Sequence, residues 1–132
     1  MIKDVRMLKA LADETRLRLL LLLKRRELFV CQLMAITGIS QPLVSHSLAL
    51  LEREGLLDSR RSGKQVFYRL KPEPPLAAAV LGVLKARPAA EGHFARDRES
   101  LELFCRRFQR GRANCNMEMV KEFMEFRKKN PR

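Results

Sequence analysis

Tryptophan is absent from this 132-residue chain, and tyrosine, histidine and cysteine occur only once, twice and three times. An odd number of cysteines cannot pair completely within one chain. No unbroken apolar run approaches the roughly 20 residues that a membrane-spanning helix needs. Charged residues occupy the N-terminal positions where a signal peptide has its apolar segment. These absences predict a cytoplasmic protein with no membrane partner, in which the cysteines remain thiols.

Acidic residues are also in the minority, because 27 Lys and Arg stand against 15 Asp and Glu and give a formal net charge of +12. Such a charge on a small protein indicates a polyanionic partner. The chain contains no Gly-x-Ser-x-Gly, Walker or Cys-x-x-Cys motif. Ser45 and His46 are adjacent and cannot face each other on a helix. The sequence therefore predicts a protein that is not an enzyme.

Periodic apolar residues predict a helical chain with one basic hairpin. Spacings near three over Ile2–Leu11 indicate a first helix, and Asp13 is a typical N-cap for the leucine-rich second helix. A short third helix ends at Gly38, which suits a left-handed C-cap, and a fourth continues to about Arg53. Segment 55–71 holds a Ser-Gly turn, five Lys or Arg and one acidic residue, which is typical of a basic β-hairpin.

This order of elements predicts a mainly α protein with a β-hairpin wing, that is, a winged helix-turn-helix with a C-terminal helical extension. Side chains at the start of the fourth helix would reach base edges in a major groove, and wing cations would reach phosphates. The predicted contacts with double-stranded DNA are Ser40, Gln41, Ser45, His46, Ser47, Arg60, Arg61, Lys64, Gln65 and Tyr68.

The sequence resembles the arsenic-repressor (ArsR) family of metal- and thiol-responsive repressors. The stretches that carry the resemblance are Leu8–Leu20, Gly38–Ser45, Leu48–Leu56 and Arg60–Leu70, within about residues 5–75. The resemblance implies a homodimer that binds an inverted-repeat operator and releases it when an inducer binds. One departure is the order Ser45-His46-Ser47-Leu48, because the family places its histidine one position later. The operator sequence is therefore not carried over from the family.

The resemblance also predicts how the chain is divided. Residues 1–87 form the expected DNA-binding and dimerisation domain, and residues 88–132 form the helical extension. Helices over about 2–11 and 76–86 are the expected dimer surface, and residues 97–129 are expected to add two helices that pack on the dimer. The helix over 76–86 contains no His, Asp or Glu, which argues against the divalent-metal site of the family's zinc-type members.

Arsenic-responsive members of the family carry Cys-Val-Cys before the recognition helix, whereas this chain has Phe29-Val30-Cys31. Trivalent arsenic is a soft ion that prefers several thiolate ligands, and one cysteine cannot hold it well. Two further cysteines lie beyond the family motifs. We therefore hypothesise that Cys31, Cys105 and Cys115 form one site, within or between chains, for As(III) or Sb(III) as the inducer, with no required cofactor.

Other interpretations of these features stay open. Cys105 shares a predicted helix face with Leu101 and Phe104 and can be a buried apolar residue only. Cys115 has basic neighbours that favour a reactive thiol, so two of the cysteines can form a redox- or persulfide-responsive switch. The last 27 residues hold nine Lys or Arg and three Glu, which is consistent with a sequence-tolerant architectural DNA-binding protein.

Overall fold

A computed structural model describes residues 2–72, 75–86, 92–109 and 117–130. The helices are α1 (Ile2–Leu11), α2 (Glu14–Leu23), α3 (Val30–Thr37), α4 (Gln41–Arg53), α5 (Pro75–Ala86), α6 (His93–Leu103) and α7 (Met117–Lys129), with a π-helical segment at Phe104–Gln109 after α6. The strands are β1 (Leu28–Phe29), β2 (Leu57–Ser62) and β3 (Gln65–Leu70). The predicted fold class, mainly helical with a β-hairpin wing, is confirmed.

Helix α2 is the central helix that its leucines predict. Asp13 is its N-cap, and the Asp13 carboxylate accepts a hydrogen bond from the Arg16 backbone N–H at 3.0 Å. The Arg16 side chain donates to the carbonyl oxygens of Lys9 and Ala10, at 2.9 and 2.6 Å, and so satisfies free acceptors at the end of α1. Leucines 19, 20, 22 and 23 are all buried, so α2 packs on more than one side.

Helices α3 and α4 form the helix-turn-helix, with an angle of 120° between them. The turn begins at Gly38, whose φ of +76° lies in the left-handed region and whose N–H donates to the Met34 carbonyl at 2.8 Å. Val44, Leu48 and Leu51 of α4 are fully buried, as their spacing predicts. This packing holds α4 on the core and leaves its opposite face exposed.

The wing is the predicted antiparallel hairpin, but a third strand extends it. Strand β3 lies between β2 and β1, with Leu57 opposite Leu70, and Ser62 opposite Gln65 beside the turn. Strand β1 pairs Leu28 with Tyr68. The sequence analysis missed β1 because a two-residue strand has no periodicity of its own. Its pairing ties the wing to the segment that leads directly into α3.

Within the described residues, the C-terminal extension packs mainly on α2 and α3, and its packing on a dimer stays a prediction. Phe104 and Phe123, both fully buried, contact each other edge to face at 5.3 Å and belong to the same apolar core as the α2 leucines. Ile2 on α1 and Val83 on α5 are not covered by the extension, and their exposed fractions are 79% and 62%. Division of the chain into domains 1–87 and 88–132 stays a prediction.

Among the described residues, no single helix is long and apolar enough to cross a membrane. Helices α3 and α4, taken together across their bend, meet the length and composition that such a span needs.

The packing of α4 predicts unequal costs for two leucine substitutions on the same helix. Leu48→Ala should lower the free energy of unfolding by about 2–5 kcal/mol, because Leu48 is fully buried and its removal leaves a cavity. Leu43→Ala is the matched control and should change it by at most about 0.5 kcal/mol, since Leu43 is 45% exposed. Urea unfolding followed by circular dichroism measures both. Equal losses would contradict this orientation of α4.

Candidate nucleic-acid interface

The face of α4 opposite the core is polar. Ser40, Gln41, Ser45 and His46 are exposed. Gln41 and Ser45 are four residues apart, so they lie on the same side of the helix. Ser40 occupies the N-cap position, although its side chain makes no capping hydrogen bond. These four predicted contact residues are therefore free to meet a groove, and their contact with DNA stays a prediction.

Ser47 is not on this face, and its burial argues against the predicted DNA contact. Its exposed fraction is 2%. Ser47 follows Val44 by three residues and precedes Leu51 by four, so helical spacing places it in the buried stripe. That spacing is visible in the sequence and could have excluded Ser47 at the outset. A small hydroxyl side chain at this position lets α4 lie close to the core.

Two cations near the tip of the wing are exposed and without an acidic partner among the described residues. Arg61 lies on β2 opposite Val66, and Lys64 lies in the turn that follows. Gln65 begins β3 and is half-buried. Unpaired cations on a projecting hairpin are suited to phosphate contacts, which carry most of the salt-dependent affinity for DNA.

Arg60 is placed differently from its neighbour Arg61. Its guanidinium forms an ion pair with Glu27 and lies 4.7 Å from the centre of the Phe67 ring. Phe67 in turn contacts Phe29 edge to face at 5.2 Å. Arg60 therefore links the wing to the segment before α3. The sequence analysis missed Glu27, because a single glutamate gives no sign of a partner so far along the chain.

Tyr68, the last of the predicted wing contacts, is half-buried on β3 opposite Ser59. Burial of its side chain and, to a smaller extent, the negative charge of Glu52 raise the pKa of Tyr68 above 10.0. The Ser59 hydroxyl also donates a hydrogen bond to Glu52 at 3.2 Å. Glu52 therefore joins α4 to β2 by a hydrogen bond and lies close enough to Tyr68 on β3 for its charge to affect the pKa of Tyr68.

Two of the three predicted thiol ligands lie in the described part of the chain. Cys31 is in the first turn of α3, and Cys105 is in the π-helical segment after α6; both are half-buried against the core. The Arg26 guanidinium donates a hydrogen bond to the Cys105 sulfur at 2.6 Å. Cys115 lies outside the described residues. Within those residues, no three His, Cys, Asp or Glu side chains lie close enough to hold a metal ion.

Comparison with known proteins assigns this architecture to a family. Residues 13–59 match the family model described as bacterial regulatory protein, arsR family. The structure is similar to HlyU from Vibrio cholerae, with a TM-score of 0.56 and 37% identity over 63% of this chain and 88% of that one. The chain belongs to the arsR family. This family consists of regulatory proteins, which agrees with the prediction that the chain is not an enzyme.

Other known proteins are similar to comparable lengths of this chain. The transcriptional repressor BigR from Xylella fastidiosa superposes with a TM-score of 0.55 and 36% identity, over 61% of this chain and 80% of that one. The arsenical resistance operon repressor of Escherichia coli is 50% identical over 76 residues, 57% of this chain. The arsenic resistance transcriptional regulator ArsR1 of Pseudomonas putida is 47% identical over 81 residues. These matches span 65% and 63% of the two curated relatives.

The environment of Tyr68 can be tested by titration, because it is the one tyrosine of the chain. We expect tyrosinate absorbance to give a midpoint above 10.0, and Glu52→Gln to lower it without reaching 10.0, since burial is the larger cause. Because the folded state holds this proton more tightly, unfolding should become easier as the pH rises above the ordinary tyrosine pKa. Glu99→Gln, an exposed change on α6, is the control. A midpoint that Glu52→Gln leaves unchanged would contradict this α4–wing geometry.

Proposed function

We propose that this protein is a cytoplasmic transcriptional repressor that binds an inverted-repeat operator in double-stranded DNA as a homodimer. The observation that carries the proposal is the exposed polar face of α4 together with the exposed wing cations Arg61 and Lys64, in a chain of the arsR family. The helix supplies hydrogen-bonding groups for base edges, with Gln41 suited to adenine. The wing cations supply affinity for phosphates on either side of the groove.

A second copy of this chain is the proposed partner of α1 and α5. These helices contact each other and carry exposed apolar side chains, among them Ile2, Val5, Leu8 and Val83. Apolar residues concentrated on one side of a small protein favour association through that side. A dimer with two-fold symmetry presents two copies of α4, which matches an operator made of two inverted half-sites.

Trivalent arsenic or antimony is the proposed inducer, held by thiolates of Cys31, Cys105 and Cys115. Two observations support this proposal. The relatives from Escherichia coli and Pseudomonas putida are named for arsenic resistance. Cys31 and Cys105 are also both free cysteines, and sulfur is the ligand atom that soft ions prefer. A redox or persulfide switch that uses two of the cysteines is the alternative.

DNA recognition is tested with fluorescence anisotropy on the DNA upstream of the protein's own gene and on a scrambled duplex. Gln41→Ala should weaken operator binding by about 1–3 kcal/mol and leave scrambled DNA unaffected, because it removes a base contact. Arg61→Ala should weaken binding to both and reduce the slope of log affinity against log salt by about 1, because it removes a phosphate contact.

The control is Lys121→Ala, which also removes one exposed positive charge but lies on α7, outside α4 and the wing. It should leave both affinities close to those of the unmodified protein. Equal affinity of the unmodified protein for operator and scrambled DNA would instead identify a sequence-tolerant architectural protein.

Induction is tested by adding arsenite to the operator complex in the presence of reductant. Release of DNA is expected, and Cys31→Ser, Cys105→Ser and Cys115→Ser should each weaken it strongly, because a three-thiolate site loses a ligand in every case. Zn²⁺ at the same concentration is the metal control and should not release DNA. If arsenite has no effect, while an oxidant or persulfide acts through only two of the cysteines, the arsenic proposal is wrong and the redox alternative replaces it.

A further inference from the structure

A buried ion pair joins the C-terminal extension to the central helix α2. Arg18 on α2 donates from Nε and Nη2 to the two carboxylate oxygens of Asp97 on α6, at 2.7 and 2.8 Å. The two side chains are 8% and 2% exposed. A bidentate arginine–carboxylate pair has a defined geometry, and burial protects it from screening by salt.

The same guanidinium reaches the turn that precedes the recognition helix. Arg18 Nη2 also donates to the Thr37 backbone carbonyl at 2.9 Å. Thr37 is the last residue of α3, where carbonyl groups lack partners within the helix. A cation at this helix end is also favoured by the helix dipole. One arginine therefore joins the extension, the central helix and the start of the turn.

The turn itself is short and closely held. The Thr37 hydroxyl donates to the Leu33 carbonyl at 2.6 Å and accepts from the Ile39 N–H at 3.1 Å. Helix α4 begins at Gln41, only a few residues later. A shift of the Thr37 carbonyl would therefore reach the start of α4 through three residues only.

We propose that Asp97 and Arg18 are positioning residues through which the C-terminal extension holds the recognition helix at its DNA-binding angle. Asp97 compensates the buried charge of Arg18 and orients its guanidinium, so that Nη2 remains on the Thr37 carbonyl. Without the carboxylate, Arg18 turns toward other acceptors or toward water, and the turn loses a donor. The proposal rests on the proposed DNA-binding function and extends it to a part of the chain that does not touch DNA.

A variant that removes both charges separates positioning from stability. Loss of Asp97 alone leaves the buried charge of Arg18 without its carboxylate and destabilises the fold. Replacement of both partners of a buried pair by apolar residues often leaves stability unchanged. Arg18→Met combined with Asp97→Leu is therefore the main variant. The control is Arg25→Gln with Glu102→Gln, an exposed pair 3.7 Å apart that also joins the end of α2 to α6.

Three measurements are made on each protein: thermal unfolding, amide hydrogen exchange of residues 38–44, and anisotropy on operator and scrambled DNA. For the main variant we expect a melting temperature near that of the unmodified protein, faster exchange in the turn, and an operator Kd raised by about tenfold or more. Scrambled DNA should bind as before, because phosphate contacts tolerate a change of helix angle. The control pair should change none of these quantities.

The smallest effect that the proposal allows is an increase in operator Kd of about tenfold. A folded main variant with unchanged exchange and a smaller increase would overturn the proposal. If the main variant does not fold, Asp97→Asn is measured instead; it keeps the shape of the side chain and one acceptor, and unchanged turn exchange would overturn the proposal equally. Failure of the unmodified protein to prefer its operator counts against the proposed function, while faster turn exchange in the main variant still supports the positioning role.

Discussion

Helix α4 has thirteen residues, and it must bury one face in the core while the other face stays exposed to solvent. Val44, Ser47, Leu48 and Leu51 take the buried positions, and the polar residues fall between them. The surrounding elements serve this arrangement: α2 and α3 lie beneath the helix, Gly38 sets the angle of entry, and β2 packs against its end. A shift of α4 by one residue would turn the helix by about 100° and bring polar residues to several of the buried positions.

The excess of positive charge is distributed between two roles. Some cations are paired and hold elements together: Arg18 with Asp97 in the interior, Arg60 with Glu27, and Arg69 with Asp58 on the wing. Others, such as Arg61 and Lys64, have no acidic partner among the described residues and remain available to an anion. Several of the few acidic residues are therefore paired with cations that join elements of the fold, and they do not neutralise the cations at the tip of the wing.

Local features of this fold could be predicted, and long-range ones could not. The Asp13 cap, the Gly38 turn and the basic hairpin depend on a few consecutive residues, and the structure has all three. Strand β1 and the π-helical segment depend on packing against distant elements and leave no pattern. The choice of Asp97 as the partner of Arg18, or of Glu27 for Arg60, depends on the folded backbone, which composition and periodicity do not contain.

The Arg18–Asp97 pair joins positions 79 residues apart, in the part of the chain that matches the family model and in the extension that lies beyond it. Neither residue can be exchanged alone without leaving a buried group uncompensated. A variant that changes only one of the two positions must supply another partner to the group that remains. A chain without the extension would lack Asp97, so position 18 of α2 would have to change at the same time.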